Sequence, residues 1–256
     1  MITLSTLCLD GEIGRHDRLK ICWPERALRV RFPLQVLNQT KMQVSLISST
    51  PNAELNIAHI ARVSSSRKNK SEDFEKLITY LIKNKHWSPF EHSFMTFDIE
   101  TSKAIGIQLL RHRSFTFQEF SQRYQDVNIL GESIFEDIQL RKQAKNNRQS
   151  SDEEISSKEA YLYELVEIHL NKTKDLYNTL LEGGVARETA RMILPMATKT
   201  VIRMTGSVRS WIHFIDIRTD GHAQLEMQEL AKEVKKLFYA ELPVIAKALE
   251  SLKPNA

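Results

Sequence analysis

From Met42 onward the apolar positions switch between a period of two and a period near 3.6, and each switch marks an element. Met42 opens MQVSLISST, an alternating run that predicts a strand, and a helix signal follows from Pro51. Asn52 to about Ser64 reads as helix, as does Ser71 to Lys85, where Leu77, Leu81 and Ile82 share a face. Ser88-Pro89-Phe90-Glu91 has the spacing of a capping box with proline at the first helical position. Ser93 to Glu100 predicts a strand, and Ser102 caps a helix running to about Arg111 with Ile105, Leu109 and Leu110 as its apolar face. Arg141 to Lys158 is polar and nearly without large apolar residues, so it reads as a solvated loop or a frayed helix start. A long helix follows from about Glu159 to Leu181, stopped by Gly183-Gly184. A second helix runs from Val185 to before Pro195. Lys199 to Thr205 reads as a strand, Ser207 to Ile217 and Ala223 to Tyr239 as helices, and a short last helix precedes Pro254. No internal repeat interrupts this order. The class that follows is α+β: a helix-rich, mixed α/β single domain around a central sheet, covering 42–256.

Residues 1–41 read differently. Seven basic residues against four acidic give this stretch +3, three-quarters of the +4 carried by the whole chain. It lacks sustained periodicity and is punctuated by Pro24 and Pro33, so it reads as an N-terminal extension, weakly ordered or non-native, with a targeting arm as the alternative. It has no basic start followed by a long apolar core, and so does not read as a secretory signal.

Composition narrows the chemistry. At 256 residues, 41% hydrophobic and 27% charged, the chain is ordinary for a globular protein, and no apolar run approaches the ~20 residues that span a bilayer. The only cysteines are Cys8 and Cys22, so the body from residue 23 onward holds no disulfide, thiolate zinc site or nucleophilic thiol. A reducing, cytoplasmic setting is the expectation.

The segment Gln108 to Tyr124, QLLRHRSFTFQEFSQRY, gathers Arg111, His112, Arg113, Glu119 and Arg123 within thirteen residues. Guanidinium groups match phosphate oxygens bidentately, so such a cluster suits an anionic ligand; a charged cap on a surface helix is the plainer alternative. A second region holds Arg187, Arg191, Arg203, Arg209 and Arg218 with Lys199, where ligand contacts compete with ion pairs to Glu188, Asp216 or Asp220. His86, His92, His112, His213 and His222 include no i, i+4 zinc pair, so no metal site is expected. Neither the Rossmann nor the P-loop glycine fingerprint occurs.

Arg111-His112-Arg113, seven residues, then Ser121 resembles the signature of the flavin-dependent thymidylate synthases, which make thymidylate without a cysteine nucleophile; Gln122-Arg123-Tyr124 continues it. Ala61-Arg62-Val63-Ser64, His86 with Ser88-Pro89-Phe90-Glu91-His92, Gly184 to Pro195, and Arg218 to Gln224 resemble further blocks of the family in family order, so the likeness spans roughly Met42 to Tyr239. It implies dUMP contacts at Gln108, Arg111, Glu119, Phe120, Ser121, Gln122, Arg123, Arg191 and Arg218. It implies FAD contacts at Ser64, His86, Ser88, Arg111, His112, Arg113, Glu119, Ser207, Val208, Arg209 and His213. Departures are Thr116 for a common serine, Gln118 for a common asparagine, and Ser207 and His213 where asparagine is expected.

The implied reaction is reductive methylation of dUMP to dTMP, with 5,10-methylenetetrahydrofolate as carbon donor and FAD, reduced by NADPH, as hydride source. A homotetramer with shared active sites is implied too. Within it Arg218 is the expected catalytic residue, facing the uracil N3–O4 edge and stabilising the charge that develops as C5 becomes nucleophilic. Arg123 and Arg191 are expected on the phosphate, and His86 in folate or flavin positioning. Ser121 is read as a binding residue, since no histidine is poised as its base. The competing classes are a nucleic-acid binder using RHR and Arg123-Tyr124, and a metal-dependent nucleotide hydrolase, which would need clustered carboxylates where only Glu119 stands.

Overall fold

A computed structural model describes residues 43–63, 74–155, 159 and 161–252. The expected extension 1–41 and the flavin candidate Ser64 lie outside these residues.

A four-stranded antiparallel sheet is the centre of the fold. Its strands are β1 (Gln43–Ser49), β2 (Phe94–Ser102), β3 (Phe115–Glu119) and β6 (Lys199–Ser207), ordered β1-β2-β6-β3. Register makes the sheet two-sided. Met95 pairs Gly206, Phe97 pairs Met204 and Ile99 pairs Ile202, while Phe115 and Phe117 meet the same Gly206 and Met204 from the other flank. All these residues therefore face one side. The opposite side carries Thr96, Asp98, Thr116, Gln118, Arg203 and Thr205, tied across strands by Thr96–Thr205 at 2.9 Å and Asp98–Arg203 at 3.4 Å.

Helices cover the apolar side. They include α1 (Ala53–Ala61), α2 (Glu75–Lys83), α6 (Val208–Arg218), α7 (Leu225–Glu241) and α8 (Pro243–Ser251). On α2, Ile78, Leu81 and Ile82 are buried, with Leu77 packed against the core beside them. Trp211 on α6 is fully buried, its Nε1 donating to the Met95 carbonyl at 3.0 Å, with Phe97 and Phe115 edge-on at 4.7 and 4.6 Å. Burying about 200 Å² of indole is worth roughly 5 kcal/mol of transfer free energy.

Helix α3 (Lys103–Leu109) follows β2 directly; the Ser102 hydroxyl accepts the Ile105 N–H at 3.5 Å, the expected cap. The long helix α4 (Tyr161–Glu182) ends as the glycines require: Gly184 sits at φ +83°, and Val185 N–H reaches back to Leu180 at 2.9 Å.

Three expectations change, and one strand is new. Ser88 does not cap a helix: Ser88–His92 is one five-residue 3-10 segment without a side-chain cap, and Glu91 is taken by Arg209 instead. The polar stretch after Arg141 is neither loop nor frayed helix but a hairpin, β4 (Arg141–Gln143) with β5 (Ser151–Glu154). Ion pairs hold it, Lys142–Glu153 at 3.0 Å and Arg141–Glu226 at 2.6 Å, so apolar periodicity gave no sign of it. The helix expected from Val185 shrinks to α5 (Arg187–Ala190) and a 3-10 turn at Arg191–Ile193. Strand β3 had no expectation at all: five residues carry too little alternation to stand out from the charges around them.

Candidate active site

Helix α3 aims three groups into one region. At its N-terminus, Lys103 Nζ donates to Glu119 Oε1 at 2.8 Å, and the Thr200 hydroxyl donates to the same oxygen at 2.9 Å. Glu119 is thus clamped between α3 and β6. Near its C-terminus, Gln108 Nε2 donates to Gln224 Oε1 at 2.6 Å, tying α3 to the loop before α7. Just past the helix, His112 Nε2 accepts the Arg218 Nε–H at 3.0 Å. Residues 106 apart in sequence meet there although α3 and α6 leave opposite ends of the sheet, Ser102 pairing Lys199 and Ser207 pairing Phe94: after α3 the chain returns to the α6 end, where Phe115 pairs Gly206.

The electrostatics follow from this crowding. The His112 imidazole is pushed down to about 4, by burial first, then by the Arg218 charge and by His213. Arg218 is also lowered, by burial first and then by the charge of Arg111. Neither group has a carboxylate partner among the described residues. Arg111 and Arg113 stand exposed on either side of His112.

A groove of about 1190 Å³ lies against the first turn of α6. Ser114, Ser207, Arg209, Ser210 and His213 line it with Trp87, Phe94 and Ile212. Ser207 caps α6: its hydroxyl accepts the Ser210 N–H at 3.2 Å, and the Ser210 hydroxyl donates onward to the Ser114 carbonyl at 3.3 Å. Its walls are apolar and aromatic with serine hydroxyls, and its charged groups are Arg209, paired with Glu91, and Asp216, Lys83, Lys85 and Lys235; such a mixed lining can take a planar ring system with an anionic tail. Val208 is buried in the core and does not line this groove.

A third group gathers where α5 passes the turn after β3. Arg123 Nη2 approaches Glu188 Oε2 at 3.4 Å, Arg191 Nε approaches the Glu188 carbonyl at 3.4 Å, and Arg187 Nη1 approaches the Tyr124 carbonyl at 3.5 Å. Arg123 therefore holds the Glu188 carboxylate, while Arg191 touches only the backbone carbonyl of that residue. Ser121 is exposed in the turn and its carbonyl accepts the Tyr124 and Gln125 N–H groups. Gln122 is 6% exposed, and its Nε2 has no protein acceptor, which marks a position suited to a bound polar ligand. Phe120 packs into a separate apolar cluster around Tyr177.

His86 and Ser88 are the candidates set apart: both are exposed, and the His86 ring meets Tyr80 edge-on at 5.8 Å. Lys103, Thr200 and Gln224, which hold candidate residues in place, were absent from the expectations. Lys103 and Thr200 show no local pattern toward Glu119, since only β3–β6 pairing makes them neighbours.

Comparison with known proteins identifies the family. A family model described as thymidylate synthase complementing protein matches residues 45–244. A probable flavin-dependent thymidylate synthase of Paramecium bursaria Chlorella virus 1 is 41% identical over 207 residues, covering 80% of this chain and 94% of that protein. The flavin-dependent thymidylate synthase of Synechocystis sp. is 39% identical over 222 residues, covering 86% and 99%. Among solved structures, a UMP/dUMP methylase PolB from Streptomyces cacaoi bound with 5-Br dUMP superposes with a TM-score of 0.72 at 26% identity, covering 83% of this chain and 96% of that one. With a family model spanning most of the chain and relatives near 40% identity over nearly their full length, the chain belongs to the flavin-dependent thymidylate synthase family.

Proposed function

We propose that the protein converts dUMP to dTMP, taking its carbon from 5,10-methylenetetrahydrofolate and its reducing equivalents from NADPH through a bound FAD. The carbon and one hydride together replace the C5 hydrogen of the pyrimidine, which leaves as a proton. The observation that carries the reading is Arg218, a half-buried guanidinium held by a neutral imidazole, with its charge unopposed by any carboxylate among the described residues.

When bound, the flavin supplies hydride transfer. The residues suited to hold it are Ser207, Arg209 and His213 at the groove, with exposed Arg111 and Arg113 as further candidates. Arg218 would face the pyrimidine edge and stabilise charge on its carbonyl oxygen as C5 becomes nucleophilic. A cation fixed in a partly dry site does this better than one that must reorganise in water. Arg123 and Arg191 would receive the phosphate, Arg123 exchanging the Glu188 carboxylate and Arg191 a backbone carbonyl for a dianion. The Gln122 amide, now lacking an acceptor, would hydrogen-bond the nucleotide.

The same reading makes the protein a homotetramer with shared sites. Helix α4 buries only Tyr177 over 22 residues and leaves Tyr161, Leu165, Ile168 and Leu176 open, an apolar stripe that suits other copies of the chain. Tyr124 and Met192, beside Arg123 and Arg191, are 82% and 80% exposed, as a site completed by a second copy requires.

The test is release of tritium from dUMP labelled at C5, using flavin-loaded protein with the folate and NADPH. Release that requires NADPH supports the assignment. A yellow, flavin-loaded protein that releases none overturns it.

A further inference from the structure

Arginine side chains in protein interiors usually meet carboxylates, because a guanidinium has five N–H donors and no acceptor. Arg218 departs from that rule. Its contact is the imidazole of His112, and among the described residues no carboxylate reaches either group.

The chemistry of this pair is fully determined. Arginine can only donate, so His112 Nε2 must carry a lone pair, and the ring's one proton resides on Nδ1. A protonated imidazole could not accept this bond. The ring plane is fixed on both sides, by Phe214 at 5.1 Å and Phe115 at 6.1 Å, each edge-on. Its backbone is fixed as well: His112 N–H bonds the Leu109 carbonyl at 3.0 Å, and its own carbonyl accepts from Phe115 at 3.2 Å. The charged and titratable groups acting on the pair are Arg111 from the same turn and His213 from α6. Arg111 acts on the Arg218 guanidinium, while Arg218 and His213 act on the ring and disfavour a positive charge there.

We propose that His112 is a positioning residue for Arg218: its Nδ1–H tautomer accepts the Arg218 Nε–H, orienting the guanidinium without neutralising it. A carboxylate at this position would orient Arg218 equally well but cancel the charge the reaction uses. The neutral acceptor also leaves both terminal amino groups of Arg218 for an external oxygen. This inference rests on the reading of Arg218 as the group that faces the pyrimidine, and it gives His112 a duty separate from flavin contact.

Three variants separate the possibilities. His112→Gln retains a neutral acceptor near the Nε2 position, His112→Phe retains the packing against Phe115 and Phe214 but no acceptor, and His112→Glu supplies an anionic one. Turnover should fall about 10²-fold in His112→Phe, the scale expected when a catalytic group is mis-set by about 1 Å, and recover in His112→Gln. His112→Glu should remain as poor as His112→Phe. Flavin occupancy, read from absorbance, should stay level across the series. Loss of flavin in step with loss of turnover would overturn the proposal and return His112 to flavin binding, as would wild-type turnover in His112→Phe. A second measurement needs no catalysis. Nitrogen-15 NMR of the histidine rings should show His112 as the Nδ1–H tautomer, titrating well below the ordinary range, and Arg218→Ala should raise that titration. An Nε2–H tautomer, or a ring titrating near 6.5 in the wild type, would overturn the proposal. If the wild type releases no C5 hydrogen, the functional reading fails by itself, and the tautomer still decides whether His112 holds Arg218.

Discussion

Replacing Gly206 with alanine places a methyl carbon 2.3 and 2.4 Å from Cδ1 and Cε1 of Phe115, more than 1 Å inside ordinary contact. Something must move, and the ring has little room. Trp211 lies 4.6 Å from its centroid, with Phe117 and Phe214 at 6.3 and 6.2 Å, and Phe115 is only 8% exposed. Overpacking of this kind costs about 1–3 kcal/mol, and a boxed aromatic against a rigid strand belongs at about 3. Gly206 sits at the end of β6, paired to Met95 and Phe115 on its two flanks, so the strand cannot yield either. Urea unfolding followed by Trp fluorescence should show the midpoint falling with the slope unchanged. Removing the ring as well, in Gly206→Ala with Phe115→Ala, should cost less than the sum of the single changes by more than about 1 kcal/mol, because the second deletion gives the new methyl its space. A Gly206→Ala protein within about 0.5 kcal/mol of wild type, or strict additivity in the double variant, would refute the reasoning.

Three further outcomes are expected. His112 has a folded pKa of about 4 against an ordinary 6.5, so between those values the unfolded chain binds the proton first; stability is full above about pH 6.5 and declines as the pH falls toward 4. That gap is worth about 3 kcal/mol at full weight, trimmed to roughly 1–2 for a half-exposed ring, and urea titrations at pH 7 and pH 4.5 should show a smaller loss in His112→Gln. Glu119→Gln removes the anion that Lys103 and Thr200 converge on and should lower stability by about 1–3 kcal/mol, read from thermal melts. Arg218→Lys keeps the charge but loses the planar fork and the Nε–H held by His112; C5-hydrogen release should drop about 10²-fold or more while the melting curve stays close to wild type.

The elements with long, regular periodicity were legible before any coordinates. The Ser102 cap, the glycine stop after α4 and the strand–helix succession at Ser207 follow from local chemistry acting over three or four residues. The arginine, histidine and glutamine positions of the site could also be named from sequence. What could not be read was their pairing. Lys103 meets Glu119 only because β3 lies beside β6, and β3 is a five-residue strand with too little alternation to stand out from the charges around it. The hairpin after Arg141 stayed hidden for a related reason: its polar side chains pair with one another and with α7, through Lys142–Glu153 and Arg141–Glu226, and hydrophobic periodicity carries no trace of those.

Strand β6 passes into α6 without an intervening loop, the direction changing at Ser207 alone. Eleven residues later the helix ends at Arg218. At 1.5 Å per residue this is a rigid arm of about 16 Å, with the Ser207–Ser210–Ser114 hydroxyl latch as its pivot and the guanidinium at its tip. A tilt of only about 4° at the pivot would sweep the tip through about 1 Å, enough to cost a reaction two orders of magnitude. The aim of Arg218 is therefore set as much by two serine hydroxyls and the Ser114 carbonyl at the far end of the helix as by anything near the tip, and substitutions at Ser207 and Ser210 should alter rate before they alter folding.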